Sequence, residues 1–245
     1  MRLARLVTSL GSRFAMDDGE RWRFVRSPFD PLADYASGGV EYADAQFLAP
    51  TEPRVVLGMA HNGSEQDRRI EPQAFHKSAR TVADPGAAVE VHGAGRTLMA
   101  EAELAIVIGR DAHNLRPDNA LDAVLGYVPA NDVTAVDQIP FDSFWTQAKN
   151  GRNFTPVGPW IETEFDPSNA PLRLRVNGAL ASESSTAKLA RGIVDILIYV
   201  TRHVVLGPGD LILTGCPGSN HPVGPGDEVT VEIGGLGALT NRIVR

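Results

Sequence analysis

Glycine and proline set the first limit on how this chain can fold. Its 24 glycines and 17 prolines cut the apolar residues into short runs that leave little room for long helices. Residues 2–7 alternate polar and apolar side chains, the period of a half-buried strand. Asp17-Asp18-Gly19, between residues 13–16 and 20–25, reads as a hairpin turn, and so does Asn177-Gly178 after the alternating residues 172–176. Residues 55–58, 87–91, 101–108, 126–130, 210–213, 228–233 and 238–244 are further strand candidates. Two stretches depart from this pattern. Residues 118–124, behind Pro117, read as a short helix. Residues 186–203 read as the longest one, with Leu189, Ile193, Ile196, Leu197 and Val200 at helical spacing. Many strands with few helices predict an α+β, predominantly β fold, and the lack of regular strand–helix alternation excludes a doubly wound nucleotide-binding sheet. Thr51-Glu52-Pro53 reads as a joint, which divides a small N-terminal domain, 1–50, from a larger domain, 51–245.

Charge narrows the partners. Lysine and arginine total 23 against 30 acids, a net charge of −7, with no basic block. Neutralising nucleic-acid phosphates needs a positive face, so neither nucleic acid nor an anionic membrane is an expected partner. Arg2, Arg5 and Arg13 interrupt the N-terminus before a targeting segment of roughly 7–15 apolar residues can form. No apolar run approaches the roughly 20 residues that span a bilayer. A soluble, cytoplasmic protein is expected, and the single cysteine, Cys216, excludes an intrachain disulfide.

The residues that could carry chemistry are acidic. Glu101-Ala102-Glu103 heads an apolar strand, and alternation puts both carboxylates on one face. Such a pair is either a solvated strand end or, if buried, a site that requires a cation or a proton. An all-oxygen site suits Mg²⁺, Mn²⁺ or Ca²⁺. Asp132, closing another apolar run, is a candidate third ligand. His61 sits in a glycine-flanked loop after a strand, a place for a general base or for an ordinary surface histidine. Cys216, with His221 nearby, reads first as a small buried residue. Gly93-Ala94-Gly95 lacks the third glycine of a dinucleotide fingerprint.

Several stretches, in order over residues 55–245, resemble the fumarylacetoacetate hydrolase family. Glu101 to Gly109 resembles its E-x-E-L-x-x-V-I-G strand, and Gly126-Tyr127 with Asn131-Asp132-Val133-Thr134-Ala135 its G-Y…N-D-V-[ST]-A segment. Phe75-His76-Lys77-Ser78, Ala148-Lys149 with Pro156-Val157-Gly158-Pro159-Trp160, Val176-Asn177-Gly178 with Thr186, and Gly209 to Gly215 are similar to further family blocks. The resemblance implies a mixed β-roll with few helices behind a small N-terminal domain, and a homodimer. It also implies Mg²⁺, or Mn²⁺ or Ca²⁺, held by Glu101, Glu103 and Asp132, with Lys149, Thr214 and Gly215 at an oxo-acid substrate.

Where this chain departs from the family pattern, it does so around the substrate. The family's G-x-N-Y-x-x-H-x-x-E is Gly58 to Asp67 here, with His61 at the tyrosine position, Ser64 at the histidine and Asp67 at the glutamate. Val136 replaces an arginine, Arg152 a common aspartate, Ser182 a glutamine, and T-G-T-P becomes T-G-C-P. The expected catalytic groups are therefore His61, oriented by Glu65 or Asp67, and Lys149. Arg152, with Arg80 behind it, is the expected carboxylate-binding cation. The expected activity is metal-dependent hydrolysis of a C–C bond in a 2-oxo or diketo acid. The alternatives are decarboxylation or keto–enol isomerisation of a 2-oxo di- or tricarboxylic acid, and a relative that binds its ligand without turnover.

Overall fold

A computed structural model describes residues 1–29, 35–91 and 97–245, and Gly93-Ala94-Gly95 lies outside them. The fold is organised around the strand Leu98–Ile108. Its even-numbered side chains, Leu98 through Ile108, all enter the main core, while Ala105 and Val107 enter a second core on the opposite face. Fully burying each large aliphatic side chain contributes about 1.5–3 kcal/mol, so this alternation fixes the register. It also puts Glu101 and Glu103 on the face away from the main core.

This strand changes partners along its length. Its C-terminal half lies between Val124–Asn131 and Leu211–Leu213, both antiparallel. Its N-terminal half lies between Thr134–Ala135 and Asn220–Val223. The flanking chains leave regular pairing at residues 132–133 and 214–219, on either side of Glu101 and Glu103. The sheet extends through Val56–Ala60, parallel to Leu211–Leu213, to Gln73–Lys77, antiparallel to Val56–Ala60. In the other direction Trp160–Glu162 joins it to Arg2–Thr8, which pairs with Gly11–Asp17 and Phe47–Leu48. A five-stranded sheet supplies Leu172, Leu174, Val229, Val231 and Leu239 to the main core, where the helix Ile193–His203 also packs.

The predominantly β, α+β architecture is the one expected from the sequence, but both helices are shorter. Residues 186–203 split into a 3₁₀ turn, Thr186–Lys188, and the α-helix Ile193–His203, with Gly192 extended at its start. The break falls where the Arg191 N–H donates to Asn62 Oδ1 at 2.7 Å, a tertiary bond that a continuous helix would forfeit. Residues 118–124 form only the turn Leu121–Ala123, because Val124 opens the strand Val124–Asn131 and the Ala123 carbonyl accepts the Gly109 N–H at 2.8 Å. Among the described residues, no helix is long and apolar enough to cross a membrane.

Candidate active site

Glu101, Glu103 and Asp132 converge where the flanking strands part. One carboxylate oxygen from each lies within 4.8 Å of the others. The Asp132 N–H donates to the Glu101 carbonyl at 3.0 Å, and the Glu101 N–H donates to Asn131 Oδ1 at 3.0 Å. The two acidic segments are thus tied backbone to backbone. Glu101 Oε1 accepts from Thr134 Oγ1 at 2.9 Å, and Glu103 Oε2 accepts the Gly215 N–H at 2.7 Å.

Two buried lysines face this cluster. Lys149 Nζ donates to Asp132 Oδ2 at 2.6 Å and to Glu101 Oε2 at 3.1 Å. Lys77 Nζ donates to Asp132 Oδ1 at 2.5 Å and to the Phe154 carbonyl at 2.8 Å. Burial disfavours the charge on Lys149, but Asp132, Glu101 and Glu103 overcome that and hold its pKa above the usual lysine value. Burial dominates at Lys77 and, with Lys149 nearby, lowers its pKa despite Asp132. Burial would raise Asp132, yet Lys149 and Lys77 bring it below the usual carboxylate value. Burial and the neighbouring carboxylates raise Glu101 and, further, Glu103.

This arrangement can be tested for fit to a cation by counting charge. Three carboxylates face two ammonium groups, which leaves one buried negative charge without a counter-charge. The least compensated carboxylate is Glu103, 2% exposed, whose hydrogen bond comes from a neutral amide. Buried charges are paired or coordinate metals, and an oxygen-only donor set fits a hard divalent ion. The residues present fit such an ion.

The third side of the site is the loop after Val56–Ala60. His61 adopts a left-handed backbone, φ 50°, and its ring centroid lies 5.9 Å from that of Trp145. The expected partners of His61 are engaged elsewhere. Asp67 Oδ2 accepts from the Gly63 N–H at 3.0 Å, the Ser64 N–H at 2.8 Å and Ser64 Oγ at 3.0 Å, which makes it the partner of the N-cap Ser64 in the capping box of the turn Glu65–Arg69. Glu65 is exposed and pairs with Arg68 at 2.8 Å. Arg191 clamps the loop from behind, donating to the carbonyls of His61 at 3.1 Å, Asp67 at 3.0 Å and Ile70. Asn62, buried, donates to the Thr214 carbonyl at 2.7 Å. Arg191→Ala should therefore speed amide hydrogen exchange across residues 62–70 by loosening the loop that carries His61. Unchanged exchange in that segment, read by mass spectrometry, would rule out the clamp.

Glu101, Glu103, Asp132, Lys149, His61, Phe75, Trp145 and Cys216 line one cavity of about 260 Å³. Thr214 and Gly215 border the cluster as supports. The Thr214 hydroxyl, fully buried, donates to the Leu104 carbonyl at 2.8 Å, and the Gly215 N–H is the one held by Glu103. Neither candidate arginine lines the cavity. Arg152 is 68% exposed and pairs with Glu90 at 3.1 Å, while Arg80 borders a separate hollow beside Arg5 and Glu52. Burial, then Glu101 and Glu103, push the Cys216 thiol up to about 12, which suits a packing residue rather than a nucleophile. Sequence reasoning assigned no role to Lys77, Trp145 or Arg191. Lys77 alone carried a signal, its place in the Phe75-His76-Lys77-Ser78 block.

Residues 46–244 match the family model described as fumarylacetoacetate (FAA) hydrolase C-terminal. The structure is similar to that of a 2-hydroxyhepta-2,4-diene-1,7-dioate isomerase from Mycobacterium marinum, with a TM-score of 0.89 and 34% identity over 100% of this chain and 98% of that one. An oxaloacetate tautomerase (mitochondrial) of Xenopus laevis is 34% identical over 82% of this chain and 69% of its own length. A bifunctional isomerase/decarboxylase of 4-hydroxyphenylacetate degradation from Salmonella dublin is 34% identical over 94% of this chain, which spans 51% of that protein.

Proposed function

The chain belongs to the fumarylacetoacetate hydrolase family, and from that premise we propose that it isomerises or decarboxylates a 2-oxo acid by stabilising an enolate. Hydrolysis, the first expectation from sequence, requires a base held beside an attacking water. The observation that favours the alternative is the fate of the two residues at the dyad positions: Ser64 and Asp67 hydrogen-bond each other and cap their own turn. Enolate chemistry needs only a charged oxygen site and one proton carrier. Its relatives named as tautomerase and isomerase support the same choice.

Each role falls to a residue of the cavity. Glu101, Glu103 and Asp132 would hold a divalent ion, Mg²⁺ or Mn²⁺, which would supply Lewis acidity toward the adjacent carboxylate and keto oxygens of a 2-oxo acid. Lys149, kept charged by three carboxylates, adds a fixed positive charge beside the same oxygens. His61, on the loop facing it, takes the proton from C3 and returns it to carbon or oxygen. In decarboxylation, where the C3–C4 bond to a carboxylate on C3 breaks and its electrons form the enolate, it delivers a proton to C3 after that CO₂ leaves. Phe75 and Trp145, ring centroids 5.1 Å apart, give that side of the cavity an aromatic wall.

A panel of 2-oxo and 2,4-dioxo acids incubated in D₂O and followed by mass spectrometry tests this. Deuterium entry at C3, or loss of CO₂, above the uncatalysed rate is the expected result. Stoichiometric cleavage into two acids with uptake of water would establish hydrolysis instead. Replacing His61 by Ala should slow the reaction by about 10²–10⁴-fold.

A further inference from the structure

Beside the carboxylate cavity lies a larger one of about 600 Å³. Ala60, His61, Phe75 and Trp145 line both, so the two cavities adjoin at the His61 ring. Phe75, Phe144, Trp145 and Tyr199 supply aromatic surface to the larger cavity, and Gln73 sits at its wall. Phe144 is 85% exposed, an aromatic face left uncovered at the rim. Among the described residues that line this cavity, none is lysine or arginine; the ionisable side chains besides Tyr199 are His61 and His76. Of these two cavities Lys149 lines the smaller, where Asp132 and Glu101 hold its ammonium group.

We propose that this second cavity receives the far end of the substrate, beyond C3, and that this end is an uncharged aryl group rather than a distal carboxylate. The inference rests on the 2-oxo-acid reading of the smaller cavity and deepens it. A substrate whose C1 and C2 oxygens sit among the carboxylates and Lys149, and whose C3 faces His61, sends its remaining carbons past His61 toward the larger cavity, along the packed Phe75 and Trp145 rings. A carboxylate delivered there would shed water without meeting a guanidinium or ammonium group, which is unfavourable. An aryl ring would meet the further rings of Phe144 and Tyr199 and could pack edge-to-face or offset, as aromatic side chains favour. Arg152 and Arg80, the arginines expected from sequence to bind a substrate carboxylate, are placed elsewhere.

Calorimetric titration of the Mn²⁺-loaded protein separates the possibilities. At pH 8, where histidine side chains in general are neutral, the probes are oxalate, 2-oxoglutarate and 2-oxo-4-phenylbutanoate. The last two share head and spacing and differ in carrying carboxylate or phenyl on C4. The phenyl compound is expected to bind at least about tenfold more tightly than 2-oxoglutarate. Phe144→Ala should shrink that ratio several-fold. Gln73→Arg, which brings a guanidinium to the wall, should narrow or invert it. Equal or tighter binding of 2-oxoglutarate by the wild type, with oxalate still bound, would overturn the aryl-tail inference and leave the head-group reading standing. Failure of oxalate itself to bind would overturn the head-group reading, and the tail inference with it.

Discussion

Glu103→Gln should lose divalent-ion affinity by at least about a hundredfold, and turnover should fall with it. The substitution keeps shape and volume, and the amide oxygen can still accept the Gly215 N–H now held at 2.7 Å. What it removes is the one negative charge that Lys77 and Lys149 leave uncompensated. With that charge gone, two carboxylates face two ammonium groups and the site has little net attraction for a cation. The same count fixes the sign of the stability change. Stripped of metal ions, the variant should melt at or above the wild type, because an unpaired buried charge costs more than a buried amide. With saturating Mn²⁺ the order should reverse, since an ion at 100 times its Kd adds about 2.7 kcal/mol to the protein that binds it. Thermal melts with chelator and with Mn²⁺ check both halves.

Lys77→Ala should destabilise the protein by about 3–5 kcal/mol, the usual result of removing one partner of a buried ion pair. The Lys77 side chain is fully buried and its ammonium group satisfies Asp132 Oδ1 and the Phe154 carbonyl together. Its removal raises the uncompensated charge and orphans that carbonyl. Lys77→Met, which restores volume without charge, should recover only the packing part of the loss. Urea denaturation in the presence of chelator measures this without contribution from a bound ion. A loss below about 1 kcal/mol for both variants would mean that Lys77 is not charged in the fold.

The strands were legible because their signal is local. Residues 98–108 form one strand, and parity alone separates Leu104 and Ile106 from Glu101 and Glu103. The helix over residues 186–203 was overextended because apolar spacing continues through Leu189 while a tertiary bond, Arg191 to Asn62, breaks the backbone there. Spacing likewise showed that Glu101 and Glu103 share a face, but not that Asp132 would lie beside them. That proximity depends on the antiparallel pairing of Ala102 with Asn131, about thirty residues on, a non-local event. Lys77 reaches the cluster through three pairings in series: Leu98–Ile108 with Leu211–Leu213, that strand with Val56–Ala60, and Val56–Ala60 with Gln73–Lys77. Glu65 had looked like a partner for His61 by proximity in sequence, whereas its turn directs it to Arg68. Trp145 carries a left-handed backbone, φ 57°, that no propensity assigns to a tryptophan.

The central claim is that the three carboxylates hold a divalent ion to which the head of a 2-oxo acid binds. Calorimetric titration of oxalate into the protein, with chelator and then with Mn²⁺, tests it most directly. Oxalate presents two adjacent oxygens in the planar arrangement of a pyruvate enolate, so a site built for that state should favour it over acetate. Saturable oxalate binding that requires the ion, exceeds acetate by at least about tenfold and disappears in Glu103→Gln is the predicted result. Equal oxalate affinity with and without Mn²⁺ would contradict it.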